Sequence, residues 1–244
     1  MNYTLKIEDS TRLTQFLKKF SVVEDSLLLV FTPTHLKANT HTPDKSVVKA
    51  VSADINEVFS DVPSNLPAEI KVGVFLIDKL MQSFKFFGNS EFEFIISADE
   101  VNGETVATSV TMKSSSLNIK FPTASMSMFT YITDDMMENI ANISAKVTDF
   151  ALGKEQQTKI NSLFGIDVDY AKITFEVKNG KLNAKGKNFD YTIDDTNASD
   201  NETSIFKHHY VFIDREDSTV YALDDKLIVK SDETDTLIVI GQAD

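Results

Sequence analysis

Basic side chains recur on the polar sides of two predicted helices in the N-terminal half of the chain. The first helix carries Arg12, Lys18 and Lys19, and no acidic residue lies among them. The second carries Lys79 and Lys85. Guanidinium and ammonium groups gathered on one surface attract phosphates without reading a base sequence. A single basic helix face is usually only solvated, but two such helices favour a surface for an anionic partner over that simpler interpretation.

Patterns for catalysis or metal binding are weak by comparison. The chain has no cysteine, and it lacks the HExxH, GxSxG and glycine-rich phosphate-binding motifs. His208-His209 falls in a predicted strand, where neighbouring side chains point to opposite faces and cannot easily chelate one metal. Asp167-Val168-Asp169 resembles a metal-binding DxD, but it lies in a predicted loop, where aspartates commonly serve the turn itself. We expect no enzymatic activity, no cofactor and no bound metal.

The charge of the chain is acidic and unevenly distributed. The 244 residues carry a formal net charge of −13, and residues 190–244 hold 14 acidic and 4 basic residues. A net acidic protein binds nucleic acid poorly unless its basic residues are gathered on one surface. No stretch reaches the roughly 18 consecutive apolar residues that a membrane span needs, and the N-terminus lacks the pattern of a signal peptide. We therefore expect a cytoplasmic protein.

The elements that must position these residues follow from hydrophobic periodicity. Leu13, Phe16, Leu17 and Phe20 form one apolar stripe, which predicts a helix after the capping residues of segment 9–11. A similar stripe predicts a helix over 77–87. The strands predicted around these two helices are 3–8, 26–32, 47–55, 70–76, 91–98, 105–112 and 116–121.

The pattern restarts in the C-terminal half. A strand at 144–151 is followed by a helix at 153–164 and by a hairpin, 170–178 and 181–187, around Asn179-Gly180. A polar loop at 194–203, a strand at 206–213, a short helix within 214–222 and strands at 227–230 and 236–240 complete this half.

This repetition predicts an α+β fold with two similar domains, each with two short helices packed on antiparallel sheets. The predicted domains are residues 1–121 and 144–244, joined by a methionine-rich connector at 122–143 in which Thr133 could cap a short helix.

Several of these segments together resemble a known family. The stretch from Leu5 to Ser21, LKIEDSTRLTQFLKKFS, is similar to the opening helix of phage-type, T4-like DNA polymerase sliding clamps, the processivity factors of tailed phages. The similarity continues over 22–31 and returns at 71–87 and at 154–183, which includes ITFEVKNGK at 173–181. It covers most of the chain in architecture and about a third of it in residue pattern.

The resemblance implies a DNA clamp fold in which helices line a hole for duplex DNA. Six domains close such a ring, so a two-domain chain would form a homotrimer whose partners are double-stranded DNA, a DNA polymerase and a clamp loader, with no membrane. A phage-encoded clamp would act in the cytoplasm of the infected bacterium. The residues expected to face DNA are Arg12, Lys18, Lys19, Lys79, Lys85, Lys154 and Lys159.

Clamps also bind short apolar peptides of their partners near the domain junction, and the connector supplies candidates for this role. These candidates are Met126, Met128, Phe129 and Tyr131. One segment departs from the family pattern, because the expected fourth inner helix, at 214–217, is acidic. Two other interpretations stay open, namely an oligomeric phage tail or baseplate protein and a monomeric polymerase accessory factor with the same fold.

Overall fold

The computed structural model describes residues 1–88, 90–130, 132–143, 148–231 and 234–243. The chain forms two compact units. Unit 1 comprises Met1–Thr40 and Ala50–Ile132, and unit 2 comprises His41–Lys49 and Thr133–Asp244. Residues 41–49 therefore belong to unit 2, although unit 1 segments flank them in sequence.

Unit 1 is a mixed α+β unit built on one sheet. Its elements are β1 (Asn2–Ile7), α1 (Thr11–Ser21), β2 (Leu27–Phe31), β3 (His35–His41), β4 (Val47–Asp54), α2 (Ile55–Val58), β5 (Ile70–Val74), α3 (Ile77–Phe84), β6 (Phe92–Val101), β7 (Glu104–Lys113), β8 (Asn118–Pro122) and a 3-10 turn at Met126–Met128. Within it the strand order is β1-β6-β7-β5-β2-β3, with β8 on β7. The pairing of β5 with β7 is parallel, and the pairings of β1 with β6, β6 with β7, β2 with β3 and β5, and β7 with β8 are antiparallel.

Unit 2 has two sheets. Its elements are α4 (Asp134–Ile140), β9 (Thr148–Leu152), α5 (Lys154–Leu163), β10 (Lys172–Lys178), β11 (Lys181–Lys185), β12 (Asp190–Asp195), β13 (Asn201–Phe206), α6 (Lys207–Tyr210), β14 (Ser218–Ala222), β15 (Lys226–Ser231) and β16 (Asp235–Gly241). One sheet has the order β16-β15-β14-β9, and the other has the order β12-β11-β10-β13. The first residues of β4 also belong to this unit. Just before this strand, the Ser46 carbonyl accepts a hydrogen bond from the Gly241 amide.

The helices form where the sequence has an apolar stripe, as predicted. In α1 the residues Leu13, Phe16, Leu17 and Phe20 are buried in the core of unit 1. In α3 the apolar stripe that begins with Ile77 is buried in the same core. This helix ends at Phe84 rather than at the predicted residue 87. The Asn-Gly pairs at 102–103 and 179–180 adopt positive φ angles and turn two hairpins, which confirms the predicted turns.

The segment 194–222 differs from the prediction. The predicted loop at 194–203 contains the end of β12 and the start of β13, and the predicted strand at 206–213 contains the helix α6. Tyr210 and Ile213, which are three residues apart, are both buried, and this is the period of a helix. The predicted helix within 214–222 is wrong, because residues 218–222 form β14 between β15 and β9. Further elements that were not predicted are β3, the single turn α2, most of β12 and the 3-10 turn at Met126–Met128.

In the connector, the predicted cap is confirmed. The Thr133 hydroxyl accepts a hydrogen bond from the Met136 amide at 3.3 Å, and α4 follows. Of the predicted strand at 144–151, residues 144–147 lie outside the described residues, and the remainder forms the start of β9.

Candidate nucleic-acid interface

The helix α1 presents a basic face to solvent. Arg12 and Lys18 are exposed, while Lys19 is half-buried and has a partner. Asp9 lies just before the helix, and its carboxylate accepts hydrogen bonds from the Thr11 amide at 2.8 Å and the Thr11 hydroxyl at 2.6 Å. The bond from the Thr11 hydroxyl lowers the pKa of Asp9 most, and the bond from the Thr11 amide and then the nearby Arg12 lower it further. The pKa of Asp9 therefore lies below its ordinary value. This face is therefore cationic beyond its first turn.

The helix α3 lies against α1, and both helices bury their apolar residues in the same core. Lys79 on this helix and Lys85, which follows its last residue, are both exposed. Asp78 is the only acid within α3. Among the described residues, Lys18, Lys79 and Lys85 have no ion-pair partner. Two neighbouring helices of unit 1 thus carry exposed cations.

In unit 2 the predicted cations lie on α5. Lys154 is its first residue and Lys159 lies near its middle, and both side chains are exposed. The backbone amide of Lys154 donates to Asp217 Oδ1 at 2.9 Å, so that this carboxylate satisfies a free donor at the start of the helix. An anionic side chain at a helix N-terminus is stabilising.

The acidic segment 214–217, which departs from the family pattern, is occupied by internal contacts. Asp214 Oδ1 accepts from the buried ammonium of Lys49 at 2.6 Å, and Asp217 interacts with α5 as described above. The Glu216 carboxylate accepts from the hydroxyls of Ser231 at 2.7 Å and Thr234 at 2.8 Å. Arg215 is exposed. The helix expected at 214–217 was therefore a wrong prediction, because this segment is not helical.

The helix of unit 2 that follows β13 is α6, which has the sequence KHHY. Lys207 Nζ donates to the Asp167 carbonyl at 2.7 Å and lies over the rings of Phe164 and Tyr170, at 5.3 and 5.8 Å. His208 is exposed, whereas His209 and Tyr210 are buried. The charge of Lys207 thus stabilises the loop after α5, and His208 is the residue of this helix that faces solvent.

The Asp167–Asp169 pair has a structural role in this loop. The Asp167 carboxylate is buried and accepts from the Asn188 amide at 2.9 Å and from the Asn188 side chain at 2.5 Å. Burial raises the pKa of Asp167, but the bonds from Asn188 and the charge of Lys207 outweigh burial, and the pKa is lowered. Asp169 is exposed. The described residues contain no group of three or more side chains suited to a metal.

The proposed peptide-binding residues fall in one short segment of unit 1. Met126 is half-buried and Met128 is exposed, while Tyr131 lies outside the described residues. Phe129 lies over Gly73, where a β-carbon would be 2.7 Å from its ring. The ring of Phe129 thus packs against the backbone of β5, and this favours a packing role for the residue.

Sequence inspection missed a groove within unit 2. It has a volume of about 380 Å³ and lies between α4 and the strands β15 and β16. Its lining residues are Asp134, Met137, Glu138, Ala141, Lys230 and Leu237. The acidic and methionine-rich composition of α4 is the only sequence feature that points to this groove. The strands on its other side are about 90 residues away in sequence, so a local pattern does not reveal it.

No protein-family model matches the chain, and neither does any curated protein sequence. Its fold is nevertheless similar to solved structures over nearly its full length. Proliferating cellular nuclear antigen from Entamoeba histolytica is 11% identical with a TM-score of 0.72, and the match covers 99% of each chain. The PCNA2–PCNA3 complex from Sulfolobus tokodaii is 16% identical with a TM-score of 0.67, and the match covers 98% of each chain. The PCNA of A. fulgidus, solved with the C-terminal region of FEN-1, is 10% identical with a TM-score of 0.68 over 99% of this chain and 97% of that chain.

At 10 to 16% identity the likeness establishes the fold and not the activity. The predicted fold class is confirmed: the chain has the DNA clamp fold of the PCNA-type sliding clamps.

Proposed function

We propose that this protein is a non-enzymatic sliding clamp that encircles duplex DNA and tethers a replicative polymerase. The observation that carries the proposal is the exposed basic surface of α1 and α3 on a clamp fold whose whole chain is acidic. Arg12, Lys18, Lys79 and Lys85 supply this surface in unit 1. Lys19 and, in unit 2, Lys154 and Lys159 are assigned the same role.

The physical chemistry of sliding matches these residue types. A clamp needs an attraction to phosphates that is weak and independent of sequence, and it must not bind base edges. Exposed lysines on long flexible side chains provide such contacts. The chain as a whole has a net charge of −13, so the molecule outside this surface is acidic, which repels DNA and discourages binding elsewhere.

Self-association into a homotrimeric ring is part of the proposal. Two strands support it, because β8 is paired only with β7 and β12 only with β11 among the described residues. Unpaired strand edges are templates for pairing with another chain. Lys120 is exposed on β8, and Asp194 and Asp195 are exposed on β12, so the two edges carry opposite charges. We propose that β8 of one copy pairs with β12 of the next.

The polymerase and the clamp loader are proposed partners, which would dock through short peptide segments. The PCNA of A. fulgidus was solved with the C-terminal region of FEN-1, and this supports peptide binding in a protein of the same fold. In this chain the groove beside α4 is a place where such a peptide could dock, whereas the ring of Phe129 packs against Gly73. A phage origin of the T4-like type stays a prediction from the opening helix.

The proposal is tested by loading the protein onto DNA with a clamp loader and a replicative polymerase from the same organism. A clamp is retained on nicked circular DNA and is lost when the circle is cut to a linear form, because only topology holds it. Retention should also make synthesis by the polymerase more processive. Electron microscopy of the free protein should show a ring with a central hole.

Two outcomes would contradict the clamp. A protein that binds circular and linear DNA equally well, without a loader, is a monomeric accessory factor of the same fold. A protein that shows no DNA retention and copurifies with virions is a structural component of a phage particle.

A further inference from the structure

Residues 41–46 are attached to unit 2 by a cluster of polar side chains around a buried histidine. His209 on α6 is 3% exposed, and its Nε2 lies 2.9 Å from Ser46 Oγ. Asp44 Oδ1 accepts from the hydroxyls of Ser46 and Thr42, each at 2.6 Å, and from the Ser46 amide at 3.1 Å. His209 is thus the residue of α6 that holds this segment.

The hydrogen-bond pattern fixes the tautomer of the neutral imidazole. The Ser46 hydroxyl has one proton, which it donates to Asp44, so its oxygen accepts from the N–H at His209 Nε2. The proton of the neutral ring therefore lies on Nε2. His209 Nδ1 is buried and has no hydrogen-bond partner among the described residues. A second proton would lie on this nitrogen with no acceptor beside it.

The charged groups around His209 do not compensate for that proton. Asp44 Oδ2 is 3.9 Å from Nε2, but the Asp44 side chain is 62% exposed, so water screens its attraction. On α6 itself, His208 contacts His209 with ring centroids 4.0 Å apart, and the Lys207 ammonium is bound to the Asp167 carbonyl. On β4, the Lys49 ammonium is bound to Asp214 and to the Phe212 carbonyl.

The remaining contacts of the imidazole are aromatic and add no acceptor for the proton. The ring of Phe206 meets it edge-on at 5.6 Å, and the ring of Phe212 stacks on it at 6.4 Å.

We infer that His209 is a pH-sensitive latch: protonation of its ring in mildly acidic conditions releases residues 41–46 from unit 2. A charged imidazole in this site is desolvated and lacks a partner for Nδ1, so the segment opens to let water reach the ring. The inference does not depend on the clamp function, because the latch lies within one chain.

The direction of the pH dependence follows from the burial of the ring. Burial, and then the neighbouring His208, lower the pKa of His209, while Asp44 opposes them. The folded state therefore favours the neutral ring. The stabilisation is complete above the ordinary pKa of about 6.5 and is lost as the pH falls from that value through the lowered pKa of the folded state.

Asp44 is not the source of this pH dependence. Hydrogen bonds from Ser46 and then Thr42 hold the pKa of Asp44 well below its ordinary value. The carboxylate stays ionised across the range in which His209 titrates. Its own contribution to stability is lost only at a pH below its ordinary pKa of about 3.9.

The test is amide hydrogen exchange of the segment 41–49, measured between pH 7.5 and 5.0 and corrected for intrinsic exchange rates. In the unmodified protein we expect protection to fall with pH, by up to about tenfold for each unit by which the pKa of His209 lies below its ordinary value. In His209→Gln the side-chain amide can still donate to Ser46 but does not titrate, so protection should be independent of pH. The control His35→Gln, in unit 1, should keep the pH dependence of the unmodified protein.

Equal protection at pH 7.5 and 5.0 in the unmodified protein would overturn the latch, and so would a pH dependence that His209→Gln leaves intact. Should His209→Gln not fold, NMR titration of the His209 ring in the unmodified protein decides the matter. A pKa at or above the ordinary value would then refute the inference, and a lowered pKa together with pH-dependent exchange would support it.

Discussion

Gly73 on β5 is in close contact with the segment at 124–129. A β-carbon at this position would be 2.6 Å from the Ala124 carbonyl oxygen and 2.7 Å from the ring of Phe129. Both distances are shorter than any ordinary contact, and the carbonyl belongs to the backbone, so it cannot rotate away. The Ala124 amide also donates to the Gly73 carbonyl at 2.9 Å, which keeps the two strands of backbone together.

We therefore expect Gly73→Ala to lower the free energy of unfolding by about 1–3 kcal/mol, the range for overpacking a close contact. Urea unfolding of the purified protein measures it. Gly165→Ala is the matched control, since its nearest atom would be 3.6 Å away and its stability should hardly change. A loss of equal size in both variants would show that the close packing at Gly73 is not the cause.

At the residue scale, the acids of the last quarter illustrate what composition conceals. Asp214, Glu216 and Asp217 make the segment look unsuited to a DNA-binding protein. In the fold each carboxylate accepts a hydrogen bond from another part of unit 2. Lys49 neutralises part of the charge of Asp214, and the other two carboxylates are bound by neutral donors within unit 2. A count of acids therefore does not show that these side chains serve internal contacts.

The helices α1 and α3 are the elements on which the proposed function depends. Their cations should contribute additively to DNA affinity, because exposed lysines bind phosphates as separate point charges. We expect the double reversal Lys18→Glu with Lys79→Glu to weaken binding to duplex DNA by about tenfold or more. The slope of log affinity against log salt concentration should fall by about two, one for each phosphate contact that is lost.

Fluorescence anisotropy over a salt series measures both quantities. The control is Lys113→Glu with Lys178→Glu, which makes the same change in net charge at two exposed lysines at strand ends. This control should bind nearly as well as the unmodified protein. If both double variants lost the same affinity, the effect would reflect net charge, and the assignment of the DNA-facing surface would be wrong.

For the whole molecule, the proposed ring sets an expected mass of three times 27.3 kDa. Lys120→Glu places a negative charge on β8 opposite the exposed carboxylates of Asp194 and Asp195 on β12 of the next copy. Like charges across paired strands are destabilising. We expect this variant to dissociate to monomers at concentrations where the unmodified protein is trimeric, as measured by sedimentation equilibrium.

Lys85→Glu is the control for that measurement, because it reverses a charge on the proposed DNA surface and should leave the mass unchanged. A monomeric unmodified protein at micromolar concentration would count against the ring as a whole. A trimer that Lys120→Glu leaves intact would retain the ring and refute only the pairing of β8 with β12.

The sequence by itself determined the elements whose pattern is local. The apolar stripes of α1 and α3 and the two Asn-Gly turns depend on residues a few positions apart, so periodicity and turn chemistry predicted them. The opening helix could be compared with the clamp family for the same reason, because its apolar and basic faces are set by residues that are close together in sequence. The basic positions of these helices, apart from the half-buried Lys19, are likewise exposed, as a helical period requires.

Only the tertiary structure decided what depends on distant partners. Lys207 bonds to the Asp167 and Ala171 carbonyls, which lie 40 and 36 residues away, and this fixes the start of α6 where the local pattern suggested a strand. The burial of His209 against Ser46 joins positions 163 residues apart. Such contacts satisfy buried polar groups, and the sequence does not reveal which distant group satisfies which.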